Sequence, residues 1–450
     1  MGSSDRLPGA EFAQSPYCSR ELLRLRRALF AFSALNDLIP FVPVAALRFT
    51  DAGLDALEVS SLFGLLAISA LLLEVPSGAW ADVAPRRLLL ALGALLRAAC
   101  FTLWMFLPSY PAFVVGVLLW GACHALTSGT LEALVYDELA DKDATATFPA
   151  LLGRARIGAL AANVLATLSA TPLLALGHYA LVEGASALVC LAAAGAALCL
   201  PGPSRARAER GGGGHVGTGH TGTGHAGTGH VGTGYVAMLR TGLAELRTSR
   251  AVRRAAVVAA VLPAVLVIDE YLPLLVRSTG VATATVPLLV VLAVAGKACG
   301  SWLAGPLAGT RPATLALALG AATALLAAGA LSGTPWGIGS VALCLGIVQF
   351  GIVLSQARLQ DTIECAARAT VTSVASLGTD AVAILFYVAY GVGSLWAGVS
   401  TVIATFAAVP LLLAVLVPRW LPRAGSRSIA PVPGTTGSQQ AEWPRRRTDA

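Results

Sequence analysis

The chain has 450 residues, of which 56% are hydrophobic and only 12% charged, with a mean hydropathy of +0.74. A soluble protein carries roughly a quarter charged residues; here apolar stretches of about 20 residues, the length that crosses a bilayer, recur from Leu25 to Val417. This excludes a soluble globular fold. The net charge of +7 does not point to nucleic acid, because the arginines sit mostly in short polar loops.

In chain order, a polar segment (1–23) comes first. Arg20 to Arg27 then lead into a full-length apolar stretch containing Asn36 and Asp37, as expected of a first membrane span rather than a short cleavable signal. Six spans are predicted near 25–47, 58–79, 88–107, 111–136, 148–174 and 179–200, giving an N-terminal bundle over 24–200. Six more are predicted near 255–276, 284–307, 312–331, 336–357, 370–392 and 395–417, giving a C-terminal bundle over 251–417. Proline and glycine punctuate the gaps, as at Pro108-Ser109-Tyr110-Pro111 and Gly333-Thr334-Pro335. The expected fold class is an all-α membrane protein of 12 transmembrane helices in two pseudo-symmetric six-helix bundles.

With both termini inside, the cytoplasmic loops hold Arg86, Arg87, Lys142, Arg154, Arg205, Arg250, Arg254, Arg311, Arg368 and the tail arginines. The opposite loops hold only Arg48 and Arg277. Positive charge is retained on the cytoplasmic side of short loops, so a multi-pass protein of the cell inner membrane with both termini cytoplasmic is expected. Residues 201–250 form a Gly/His-rich cytoplasmic linker in which His215, His220, His225 and His230 recur at equal intervals. A metal-binding tract is one reading. A flexible linker is favoured, because glycine at this density prevents preorganised ligand geometry. Met238–Arg250 is amphipathic and expected on the inner membrane surface, and 418–450 reads as a disordered tail. The eight cysteines lack metal or disulfide spacing. There is no HExxH and no phosphate-binding glycine loop with lysine. No cofactor or metal is therefore expected, and the chain is not expected to be an enzyme.

Short motifs recur in register with the two sets of spans. Gly78-Ala79-Trp80-Ala81-Asp82 follows the second span and Gly305-Pro306-Leu307-Ala308-Gly309 the eighth. Asp37-Leu38-Ile39-Pro40 in the first span matches Glu270-Tyr271-Leu272-Pro273 in the seventh. Gly121 and His124 in the fourth match Gly346 and Gln349, at the same spacing, in the tenth. A duplicated half is the usual construction of transporters whose site lies between the halves. The loop Gly78-Ala79-Trp80-Ala81-Asp82-Val83-Ala84-Pro85-Arg86-Arg87 resembles the loop between spans two and three of the major facilitator superfamily. Glu74-Val75-Pro76-Ser77, Ser128-Gly129 through Asp137, and Arg368-Ala369-Thr370 resemble a bacterial efflux-like branch. Span four lacks the arginine usual in drug–proton antiporters of that family, and span five has Ala170-Thr171-Pro172 where they carry Gly-Pro.

The resemblance implies a cytoplasmic gate motif of Gly78, Asp82, Arg86 and Arg87, with Asp82 and the arginines forming a latch between the halves. It also implies that spans one, four, seven and ten line a central cavity. That makes Asp37, His124, Glu132, Asp269, Glu270 and Gln349 candidates for the proton or substrate path, with Asp37 first and Glu270 second as proton carrier. A charge at bilayer depth is costly enough to suggest function. The alternative is structural pairing, with Arg97, Lys297 and Asp380 as buried ion-pair candidates and Lys297 and Asp380 able to neutralise each other. The expected function is secondary active transport by alternating access, as proton-coupled efflux of a small amphipathic molecule such as a drug or secondary metabolite. An uptake symporter or facilitator of a small metabolite, or a lipid-type flippase, remains the alternative. The expected partners are a small-molecule substrate, protons and the lipid bilayer, with no nucleic acid and a monomeric state.

Overall fold

The computed structural model describes residues 16–142, 144–201, 249–363 and 368–422. The histidine repeat His215 to His230, most of the predicted surface segment and the tail lie outside the described residues. Twelve helical segments are long and apolar enough to cross a membrane. Spans one to six are Glu21–Asp51, Ala56–Glu74, Arg86–Phe106, Tyr110–Ala140, Thr145–Leu176 and His178–Leu198. Spans seven to twelve are Arg250–Ser278, Thr283–Ala304, Pro312–Leu331, Gly337–Thr362, Val371–Gly393 and Val399–Trp420. There is no strand among the described residues. Successive crossings place the start of span one, the loops after even-numbered spans and the end of span twelve at one end, called here the terminal end. The loops after odd-numbered spans lie at the far end.

In the first half, spans two and three pack against span four, and spans one and three against the helix of spans five and six. In the second half, span ten holds spans seven, eight and nine together, and span twelve lies on span nine. The halves meet where span two packs on span eleven and where the helix of spans five and six packs on span eight. Large apolar side chains point outward, including Leu176 (81% exposed) and Leu317 (77% exposed), as suits a surface solvated by lipid. Exposed Trp80 and Trp302 lie near the terminal end, and exposed Trp336 and Trp396 near the far end, consistent with aromatic belts at two interfaces.

The recurring glycines Gly121 and Gly346 have a packing explanation. A Cβ on Gly121 would stand 1.8 Å from Ser69 Oγ of span two, and one on Gly346 2.7 Å from the Gly296 carbonyl of span eight. Spans four and two, and spans ten and eight, thus cross at matching points where helix backbones approach through small residues. Gly300 seals the second crossing, since a Cβ there would stand 2.0 Å from the Gly346 carbonyl.

Two spans are broken. Span one is helical over Pro16–Asp37, irregular at Leu38–Phe41, then a 3₁₀ turn (Val42–Val44) and a short helix (Ala45–Asp51). Pro40 and Pro43 cause this, because each lacks an N–H and disfavours helix in the residue before it. Span four is interrupted between Tyr110–Thr127 and Thr130–Ala140. There Gly129 takes a left-handed φ of 67°, a conformation glycine adopts without steric cost. Span seven stays helical but tightens to a 3₁₀ turn at Val265–Val267, just before Asp269 and Glu270. Span ten runs unbroken from Gly337 to Thr362, so the duplicated halves differ where span four has its break.

The crossing of spans eight and ten gives a direct test. Gly300→Val should destabilise the protein by about 1–3 kcal/mol through overpacking, read as a lowered melting temperature in detergent. Gly309→Val, where a Cβ meets nothing, serves as the control.

Candidate functional site

The break in span one leaves helical carbonyls without intrahelical partners. Arg97 of span three, 5% exposed, answers them: its Nη2 donates to the Asn36 carbonyl (3.0 Å) and to Asn36 Oδ1 (2.8 Å). A cation there also complements the negative end of the helix dipole. Asn36 Nδ2 in turn donates to Asp37 Oδ1 at 3.3 Å. Beyond the break, the Phe41 N–H donates to Ser186 Oγ of span six at 3.1 Å. Asp37 is therefore held at a helix end stapled to neighbouring spans on both sides.

Two cavities meet at Asn36, Asp37 and His124. The outer one, about 630 Å³, is lined by spans one, four and five, including Phe32, Asp37, His124, Glu132 and Arg156. The inner one, about 270 Å³, is lined by Asp37, Arg97, Trp120, His124 and Asn163 from the first half and Glu270 from the second, with Phe49 and Phe63 among its wall residues. Asp37 and Glu270 thus border one space between the halves. The His124 ring stacks on Trp120 at 6.5 Å.

The other expected residues divide. Asp269 is paired with Lys297, and neither lines these cavities. The expectation that Lys297 and Asp380 neutralise each other is corrected: Asp269 lies nearer to the lysine than the span-eleven acid does. Gln349 also lines neither cavity. Arg97 binds the Asn36 amide and carbonyl rather than a carboxylate. In the gate motif, Arg86 pairs with Asp137 at the end of span four. The surroundings of Gly78 and the side chain of Asp82 lie outside what is described, and Arg87 makes no ion pair with another described residue. The second half has a counterpart of opposite polarity. Arg358, buried at the end of span ten, donates to the carbonyls of Ala308 (2.6 Å) and Thr310 (3.2 Å) in the loop after span eight.

Several contributors escaped the sequence reading. Arg156 lines the outer cavity; an arginine nine residues into the apolar fifth segment was its only signal. Arg48, expected as a loop charge, instead pairs at 2.7 Å with fully buried Glu183 of span six. The far end is closed by an aromatic plug. Tyr271 stacks on Tyr390 at 3.5 Å and Phe63 on Tyr387 at 5.8 Å, while Tyr271 Oη donates to Ser60 Oγ at 3.0 Å. At the rim, Asp51 accepts from Tyr179 Oη (2.7 Å) and pairs with Arg277 of the second half. Among the described residues, this is the ion pair that crosses between the halves.

Twelve spans, a duplicated half and a cavity between the halves closed at one end define a membrane transporter. The model of the Major Facilitator Superfamily matches residues 28–387. The chain belongs to that superfamily, whose members are transporters and not enzymes. Solved structures agree on the fold. A D-xylose–proton symporter aligns with TM-score 0.64 at 14% identity, covering 91% of this chain and 99% of its own. A nucleoside transporter aligns with TM-score 0.66 at 14% identity, covering 88% and 97%. An inward-facing, unoccupied bacterial homologue of the human lysosomal transporter Spinster aligns with TM-score 0.60 at 17% identity, covering 91% and 100%. No curated protein sequence matches the chain.

The far-end closure predicts a measurable shift. Arg277→Glu places like charges at the rim, and a Ser60→Cys reporter should then react about two- to fivefold faster with an impermeant maleimide, the range expected for an exposed pair of up to about 1 kcal/mol. Exchanging the two charges, Asp51→Arg with Arg277→Glu, should return the rate towards that of the parent.

Proposed function

We propose that the chain is a proton-coupled secondary transporter that exports a small amphipathic molecule by alternating access. The observation that carries this reading is the shared inner cavity, which both Asp37 of span one and Glu270 of span seven line. Carboxylates at bilayer depth serve proton relays because the cost of burying their charge makes protonation responsive to solvent access. The mixed lining, with Trp120 and Phe63 beside Asn36, His124 and Asn163, suits a ligand with both an apolar body and polar groups. The charge bias of the loops supports a cytoplasmic terminal end in a bacterial inner membrane. On that orientation, closure by the Tyr271–Tyr390 plug makes this form inward-facing, and the protein works as a monomer. Asp37 and Glu270 exchange protons, while Asp269–Lys297 and Arg97 hold their surroundings.

Everted vesicles test this. Substrate accumulation should need no ATP and stop when the proton gradient is collapsed. Asp37→Asn should cut gradient-driven accumulation by at least about tenfold, within the range associated with loss of a positioned proton-transfer group. Transport that survives collapse of the gradient would rule out proton coupling; gradient-driven movement in the opposite direction would make the protein an importer.

A further inference from the structure

The outer cavity holds opposite charges that do not satisfy one another. Asp37 and Arg156 both line it. Yet no ion pair joins them, and the side chain of Arg156, which is exposed, has no hydrogen bond or ion pair to any described residue. The Asp37 carboxylate has only the long contact from Asn36 Nδ2 at 3.3 Å. Glu132, on the same wall, is likewise without a bonded partner among the described residues. Arg156 and Glu132 are exposed to the cavity, so water solvates them there and an entering ligand would replace that water. Opposite charges held apart on spans one and five leave room for a ligand that carries both.

We propose that this vestibule selects a zwitterion with an apolar or aromatic body. The ligand's ammonium group lies at Asp37, with Glu132 adding negative field, and its anionic group lies at Arg156, whose planar fork suits a carboxylate or phosphate. A simple organic cation would leave Arg156 uncompensated, and a simple anion would face two carboxylates. Only a ligand with both signs turns every contact favourable, and the mismatched alternatives are rejected by repulsion as well as by lost bonds. Phe32 in the same lining and the Trp120–His124 stack beyond it provide the surface for the apolar body. The cavity, about 630 Å³, falls within the usual range for small-molecule sites. This proposal rests on the transport reading above and adds the substrate class: the ligand's ammonium and the coupling proton compete for Asp37.

The test is binding to the full chain in lipid nanodiscs without any gradient, so that it does not depend on proton coupling. The probes are phenylalanine, phenylalaninamide (cation), N-acetylphenylalanine (anion) and N-acetylphenylalaninamide (neutral). Phenylalanine should bind about tenfold or more tightly than each of the others, equivalent to about 1.4 kcal/mol. Arg156→Gln should remove its advantage over the amide, Arg156→Lys should restore part of it, and Asp37→Asn should remove its advantage over the N-acetyl form. The proposal is overturned if phenylalanine shows no advantage or no binding at millimolar concentration, or if Arg156→Gln weakens all four probes equally. Gradient-driven flux without charge selectivity would sink the zwitterion alone; charge-selective binding without gradient-driven flux would sink proton coupling alone.

Discussion

Inside a bilayer every peptide group must find its partner within the protein, and span one, broken next to its acid, must find those partners on other spans. Pro40 and Pro43 interrupt the helix, and the freed backbone is met by the Arg97 guanidinium from span three and the Ser186 hydroxyl from span six. Irregular backbone at membrane depth is tolerated only when buried in protein or facing a cavity, and here both conditions hold. The same break gives Asp37 its place at a helix end with its carboxylate facing the shared space. Span four repeats the device with glycine instead of proline: left-handed Gly129 opens the wall that carries His124 and Glu132. The site depends on both interruptions, and that in span one is held by neighbours in the first half.

The two ends of the molecule are held differently. At the far end, contacts cross from half to half: Tyr271 to Ser60, Phe63 against Tyr387, and Asp51 to Arg277. At the terminal end, Arg86 with Asp137 and Lys142 with Glu138 are ion pairs within the first half. Arg358 similarly holds carbonyls of its own half. Opening the far end must separate aromatic surfaces and a charge pair. The terminal-end bonds named here lie within one half and do not oppose separation of the halves at that end.

Much of the fold was legible because its signals are local. Length and hydropathy along the chain fix the spans, and the proline pairs mark the irregular stretch of span one. Gly121 and Gly346, noticed as repeated letters, proved to be the crossing points of spans four with two and ten with eight. The site was legible in part. Asp37, His124, Glu132 and Glu270 stand out as ionisable residues in apolar runs, and the structure brings them around two joined cavities. Their partners were not legible. Asp269 and Glu270 are adjacent in sequence, yet one turns to Lys297 and the other to the cavity, because successive helical residues point about 100° apart. Arg156 and Glu183 were passed over, although each is a charge inside an apolar segment.

By itself, then, the sequence determined that this chain crosses the membrane twelve times as a duplicated unit, since burying apolar helix in lipid depends on composition and length alone. It also picked out most of the buried charges by their rarity. Only the tertiary structure decided which of them pair, such as Arg48 with Glu183 and Lys297 with Asp269, and which line a cavity without an ion pair to a described residue, such as Asp37 and Arg156. The physical reason is distance: a hydrogen bond or close ion pair forms only within about 3–4 Å, and those separations between spans are set by how helices pack rather than by their order in the chain.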